Sequence, residues 1–120
     1  MAKVRKILVA VDFSENSKNS LMYAFEFFKG CGIEMHVVHV VHDPLPERSY
    51  IPHPSVNQME KSSLEYATEE LTKFIPRRIM NSGEEIHPVV LQGEPYSKLI
   101  DYAVKNHLEL IVMGSHGASR

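Results

Sequence analysis

Cysteine is nearly absent. Cys31 is the only one in 120 residues, so no internal disulfide framework can form. The compartment this composition implies is a reducing cytoplasm. An excess of cations is also missing. The 13 Lys and Arg are scattered among 15 Asp and Glu, with a formal net charge of −2. Nucleic-acid binding needs clustered cations to neutralise phosphates, so no nucleic-acid partner is expected. The pair Arg77-Arg78 reads as a solvated helix end. Long apolar runs are missing too. Lys3, Arg5 and Lys6 precede an apolar run of only five residues, Ile7 to Val11, which ends at Asp12. A signal sequence needs roughly 7 to 15 apolar residues, and a bilayer span roughly 20. No membrane association is expected.

The chain also lacks the residue patterns of common catalytic sites. There is no G-x-x-x-x-G-K-[S/T], no G-x-S-x-G, no C-x-x-C and no H-E-x-x-H. No nucleophile, base and orienting group stand in a recognisable set, so the chain is not expected to be an enzyme. Seven histidines raise the question of a metal. His39 should face away from His36 and His42 on a strand. At about 3.3 Å per residue, His36 and His42 stand roughly 20 Å apart. These three are therefore read as half-buried or loop-flanking histidines. His53, His87 and His107 are read as isolated, and no metal site is expected.

What is present is an alternation of strand and helix signals over one domain, residues 1–120. Lys6 to Val11 is a continuous apolar and β-branched run, the mark of a strand covered on both faces. Ser14 is placed to cap a helix, with Glu15 in its first turn. Leu21, Ala24, Phe25 and Phe28 then recur at helical spacing, and Gly30 and Gly32 stop it. Glu34 to Val41 is a second strand. Pro44, Pro46, Pro52 and Pro54 make Asp43 to Pro54 an irregular loop. A second helix buries Val56, Met59, Leu64, Ala67, Leu71, Phe74 and Ile75, and Pro76 ends or kinks it. Ile86 to Leu91 is a third strand. Pro95 opens a third helix at a position where its missing N–H costs nothing, with Leu99, Ile100, Ala103 and Val104 as its apolar face. Leu108 to Met113 is a fourth strand. This βαβαβαβ order predicts an α/β fold, an open parallel sheet with helices on both faces and right-handed crossovers.

In such sheets ligands bind beyond the carboxyl ends of strands, where strand order reverses. Asp12 follows the first strand and Gly114 the fourth. If those strands are neighbours, Asp12 and the segment Gly114-Ser115-His116-Gly117 face one crevice. A carboxylate there suits ribose hydroxyls. The backbone N–H groups of a G-x-x-G loop suit phosphate oxygens, and glycine lets the backbone approach closely. Each feature also has a plainer reading. A G-x-x-G after a strand serves as an ordinary βα turn, Asp12 as a residue capping the helix start, and Ser115 and His116 as exposed turn residues rather than phosphate donors.

Four stretches together resemble the universal stress protein family. They are Ile7-Leu8-Val9-Ala10-Val11-Asp12-Phe13-Ser14, Val37-Val38-His39-Val40, Gly93-Glu94-Pro95, and Leu110-Ile111-Val112-Met113-Gly114-Ser115-His116-Gly117. The resemblance runs in order from Lys6 to Gly117. It implies a three-layer, Rossmann-like fold of the adenine nucleotide alpha hydrolase type with sheet order 3-2-1-4-5, strands one and four side by side. It implies binding of ATP, or of ADP or AMP, by a regulatory module of the stress response, with any Mg²⁺ held by the phosphates and slow ATP hydrolysis as the one turnover left open. Asp12 matches the ribose-binding Asp, Ala10 and Val11 its neighbours along base and sugar, and Val40 the apolar residue beside adenine. Met113, Gly114, Ser115, His116 and Gly117 match the start of the phosphate loop G-x2-G-x9-G-[S/T].

The second half of that loop, the last helix and the fifth strand lie beyond Arg120, so the family domain is expected to be C-terminally incomplete and the sheet to run 3-2-1-4. The family's homodimer, commonly built on the fifth strand, is expected of a full-length form. The chain is either truncated or natively short; if natively short, Leu110 to Met113 becomes an exposed apolar edge, which favours the truncated reading. Some members of the family lack the loop glycines. A scaffold acting through dimerisation and protein partners is therefore the alternative function. The loop Asp43 to Pro54 should be mobile and lid the adenine side of the crevice, or else be a solvent-exposed connector.

Overall fold

Ile7, Leu8 and Val9 are all fully buried, so β1 (Lys6–Ala10) is covered on both faces, as its unbroken apolar run requires. The structure, a computed structural model, describes residues 4–42 and 63–114. After β1 come α1 (Glu15–Phe28), β2 (Glu34–Val41), α2 (Ser63–Phe74), α3 (Arg77–Met80), β3 (Glu85–Gln92), α4 (Pro95–Lys105) and β4 (Leu110–Met113). The four strands form one parallel sheet in the order β3-β2-β1-β4. This is the predicted order, and it sets the ends of β1 and β4 side by side, with Ala10 paired to Met113.

Strand alternation sends side chains to two cores. Ile7, Val9, Val11, Met35 and Val37 meet Leu21, Ala24 and Phe25 of α1, and also Leu71, Ile75 and Ile79 of the α2–α3 region. Leu8 and Val38 meet Leu99 and Ala103 of α4 on the other face. The layers are therefore α1, α2 and α3, then the sheet, then α4. Ser14 caps α1, its side chain accepting from the Ser17 N–H at 3.1 Å. Glu94 caps α4 in the same way, accepting from the Ser97 N–H at 2.8 Å, with Pro95 in the first turn. Gly93 joins β3 to α4 at φ +140°, and a Cβ there would stand 2.6 Å from Lys98 Cε. The Glu109 carboxylate accepts from the backbone N–H of Arg5 (2.6 Å) and of Lys6 (3.0 Å), tying the start of β4 to the start of β1. Those two hydrogen bonds hold its carboxyl below the ordinary carboxylate value.

Several sequence expectations change. Ile100 and Val104 are 56% and 71% exposed, so α4 buries only Leu99 and Ala103 against the sheet. An apolar pair at i and i+4 fills one helix face, and the residues one step further on turn about 100° away from it. Leu64 is exposed rather than part of the α2 stripe. Pro76 ends α2, but the chain then makes a further short helix, α3, which the sequence reading lacks. Arg78, in α3, is not simply solvated. It donates to Glu26 at 2.9 Å and lies over the Phe25 ring. β4 begins at Leu110 rather than Leu108. Val56, Met59 and the loop Asp43 to Pro54 lie outside the described residues.

Candidate functional site

The carboxyl ends of β1, β2 and β4 open into a cavity of about 270 Å³. Ala10, Val11 and Asp12 contribute to it from the end of β1, and Val38, His39 and Val40 from β2. Met113 and Gly114 lie at the end of β4. The first turn of α1 supplies Ser14, Asn16 and Ser17, and the first turn of α4 supplies Pro95, Tyr96 and Leu99. Six of the nine residues singled out from sequence (Ala10, Val11, Asp12, Val40, Met113 and Gly114) thus line one cavity. The other three, Ser115, His116 and Gly117, lie outside the described residues.

The turn from β1 into α1 is held by a small polar network. Asp12 Oδ1 accepts from the Ser14 N–H at 2.9 Å, and the Asp12 N–H donates to Ser17 Oγ at 3.2 Å. The Ser17 hydroxyl in turn donates to the Ser14 carbonyl at 3.1 Å. Asp12 therefore does shape the helix start, the plainer of its two readings, while its side chain stays exposed at the cavity. Between Asp12 and Ser14, Phe13 takes φ 70°, a left-handed conformation rare for a bulky residue. Its ring stacks on His39 with centroids 4.2 Å apart, and its edge meets Phe74. His39 Nδ1 lies 2.9 Å from the Val11 carbonyl. A carbonyl only accepts, so Nδ1 carries the proton.

Gly114 enters the site by close approach. A Cβ on it would lie 3.0 Å from Ser20 Oγ and 3.4 Å from the Asn16 carbonyl, so the end of β4 rests directly on α1.

Sequence reasoning did not assign Asn16, Ser17, Val38, His39, Tyr96 or Leu99 to the crevice. The available signal was positional. α1 and α4 both begin just past the carboxyl ends of strands, so their first turns must wall any crevice there. Strand alternation turns His39 away from His36 and His42; what that face holds follows only from the packed structure.

The sequence model of the universal stress protein family matches residues 3–120. The chain belongs to the universal stress protein family. Universal stress protein MJ0531 of Methanocaldococcus jannaschii is 28% identical over 115 residues, which cover 94% of this chain and 65% of that protein. The chain therefore spans just under two thirds of that relative's length. The solved structure of hypothetical protein MJ0577 superposes with a TM-score of 0.70 at 25% identity, covering 94% of this chain and 76% of that one. A universal stress protein solved in complex with cAMP superposes with a TM-score of 0.69 at 14% identity, covering 99% of this chain and 82% of that one. These likenesses match the α/β architecture and strand order described above. Among the described residues, no helix is long and apolar enough to cross a membrane.

Proposed function

We propose that this member of the family binds an adenine nucleotide in the crevice and acts as a nucleotide-responsive regulatory module of the stress response. The observation that carries the reading is the convergence of Asp12 with Met113 and Gly114, from strands paired side by side, in one cavity. A carboxylate accepts about four hydrogen bonds, so helping to hold the turn and accepting from ribose hydroxyls are compatible roles for Asp12. Ala10, Val11 and Val40 offer apolar walls to the base. Gly114 starts the phosphate-binding segment, with Ser115, His116 and Gly117 continuing it. The cavity volume of about 270 Å³ sits near the lower end of the roughly 300–1,000 Å³ of small-molecule sites. The cAMP-bound relative shares this fold, which favours an adenine nucleotide over another ligand class.

ATP is the ligand of choice in this reading, with ADP or AMP in the same site, and Mg²⁺ carried by the phosphates and water. The role is binding rather than turnover, in the cytoplasm. A second reading, partner contact or homodimerisation, is favoured by one feature. β4 is an edge strand of the described sheet, and its Leu110, Ile111 and Met113 are exposed.

Thermal melting in a series of ATP, ADP and cAMP concentrations, with and without Mg²⁺, tests the proposal. A ligand that binds only the folded chain raises the melting temperature by mass action. A concentration-dependent rise with adenine nucleotides, and none with ribose 5-phosphate, supports it. No rise with any of them overturns it and leaves the partner-contact reading.

A further inference from the structure

At the opposite pole of the sheet, where β2 and β3 begin, the parallel register sets Glu34 beside Glu85 and His36 beside His87. Alternation puts these four side chains on the α4 face, the face of Val38, Val89 and Leu91. Reading His87 as isolated was therefore wrong. Its ring lies 4.8 Å from that of His36, centroid to centroid. Each histidine is held by the carboxylate two residues earlier on its own strand. His36 Nε2 lies 2.7 Å from Glu34 Oε2, and His87 Nε2 lies 2.8 Å from Glu85 Oε2. His36 is buried, and its other nitrogen, Nδ1, lies 2.7 Å from the Tyr102 hydroxyl of α4. One ligand atom from each of Glu34, His36 and His87 falls within 4.8 Å of the others.

We propose that Glu34, His36 and His87 form a site for a divalent d-block cation of the Zn²⁺ type that bridges β2 and β3. Two imidazoles and a carboxylate are the mixed nitrogen and oxygen donors that such ions prefer, whereas Mg²⁺ and Ca²⁺ favour oxygen alone. At Zn–ligand distances of about 2.1 Å, two donors on one tetrahedral ion stand about 3.4 Å apart. The three donors must close slightly to reach that spacing. The side chain of His87 is 43% exposed and has room to move, while that of His36 is only 8% exposed and stays fixed.

Tyr102 supplies the second layer of the site. A carboxylate only accepts, so in the metal-free chain His36 Nε2 carries a proton toward Glu34. The ion takes the place of that proton, and the Nδ1–H then donates to the Tyr102 hydroxyl. A partner of this kind orients a metal-ligating histidine and fixes its tautomer. Glu85 stands beside His87 as a further carboxylate. In the described sheet β3 is an edge strand paired only to β2, so the ion fastens that edge. The site lies at the far end of the strands from the nucleotide crevice and is independent of it.

The test uses the full chain, stripped with chelator and free of nucleotide, titrated with Co²⁺ as a spectroscopic probe and then with Zn²⁺. One Co²⁺ per chain is expected, with visible d–d bands that Zn²⁺ abolishes by displacement, and Zn²⁺ but not Mg²⁺ raises the melting temperature. His87→Ala and Glu34→Gln, checked for folding by circular dichroism, lose the bands and the thermal shift. Tyr102→Phe keeps the stoichiometry and weakens affinity by about 10- to 100-fold. His42→Ala, just past the far end of β2, binds as the wild type does. Absence of saturable binding overturns the proposal. So do bands that persist unchanged in His87→Ala, or that disappear in His42→Ala, since the ion then sits elsewhere.

Discussion

His39 donates its Nδ1–H to the Val11 carbonyl at 2.9 Å, across from β2 to the segment that presents Asp12. The same ring stacks on Phe13, which follows Asp12 in the left-handed region. One side chain thus holds both sides of the residue assigned to the ribose. His39→Phe keeps a ring on Phe13 and removes the hydrogen bond. It should lower unfolding free energy by about 1 kcal/mol, the net worth of one such bond, measured by urea titration. It should also weaken nucleotide binding. Unchanged stability together with unchanged affinity would mean that the bond positions nothing.

Gly93 is the backbone pivot between β3 and α4, and α4 carries Pro95 and Tyr96 into the crevice. At φ +140°, with Lys98 filling the place of a Cβ, alanine is strained there by about 1 to 3 kcal/mol. Equilibrium denaturation of Gly93→Ala reads this directly. The Lys98 side chain can swing aside, so most of the loss should remain in Gly93→Ala/Lys98→Ala. Full recovery in the double variant would assign the effect to crowding rather than to the backbone.

The pairing of Glu109 with the Arg5 and Lys6 amides predicts a pH dependence. These hydrogen bonds lower the Glu109 carboxyl below its ordinary value in the folded chain. A group depressed in this way stabilises the fold above the ordinary carboxylate pKa, and the contribution is lost as pH falls through the lowered folded value. The wild type should therefore melt above Glu109→Gln at neutral pH. The gap should narrow once the pH drops below the ordinary carboxylate range. A gap independent of pH would place the effect in shape rather than charge.

Much of this architecture could be read from local patterns. The unbroken run at β1, Ser14 before α1, Pro95 at the start of α4 and the β-branched β2 each carry their own physical signal, and all four lie where expected. Asp12 and Gly114 were placed together by a rule about sheet ends, and the register of β1 with β4 does bring those ends side by side. What local pattern could not supply was pairing between distant segments. His87 meets His36 only because β2 and β3 align at that register, although Glu34-Met35-His36 and Glu85-Ile86-His87 repeat the same E-x-H spacing in the sequence. Ile100 and Val104 failed for a related reason. Periodicity shows that a helix has an apolar side, but the sheet selects which part of that side it covers.

Asp12 and the end of β4 are proposed to form one nucleotide site. Isothermal titration of ATP into the wild type and into Asp12→Ala, with circular dichroism to confirm that both are folded, tests it most directly. The loss of two charge-assisted hydrogen bonds to ribose should weaken binding by at least about tenfold, at 1.5 to 3 kcal/mol for a bond to a charged group. Binding of equal affinity by the two folded proteins would contradict the assignment of Asp12 and, with it, of the crevice.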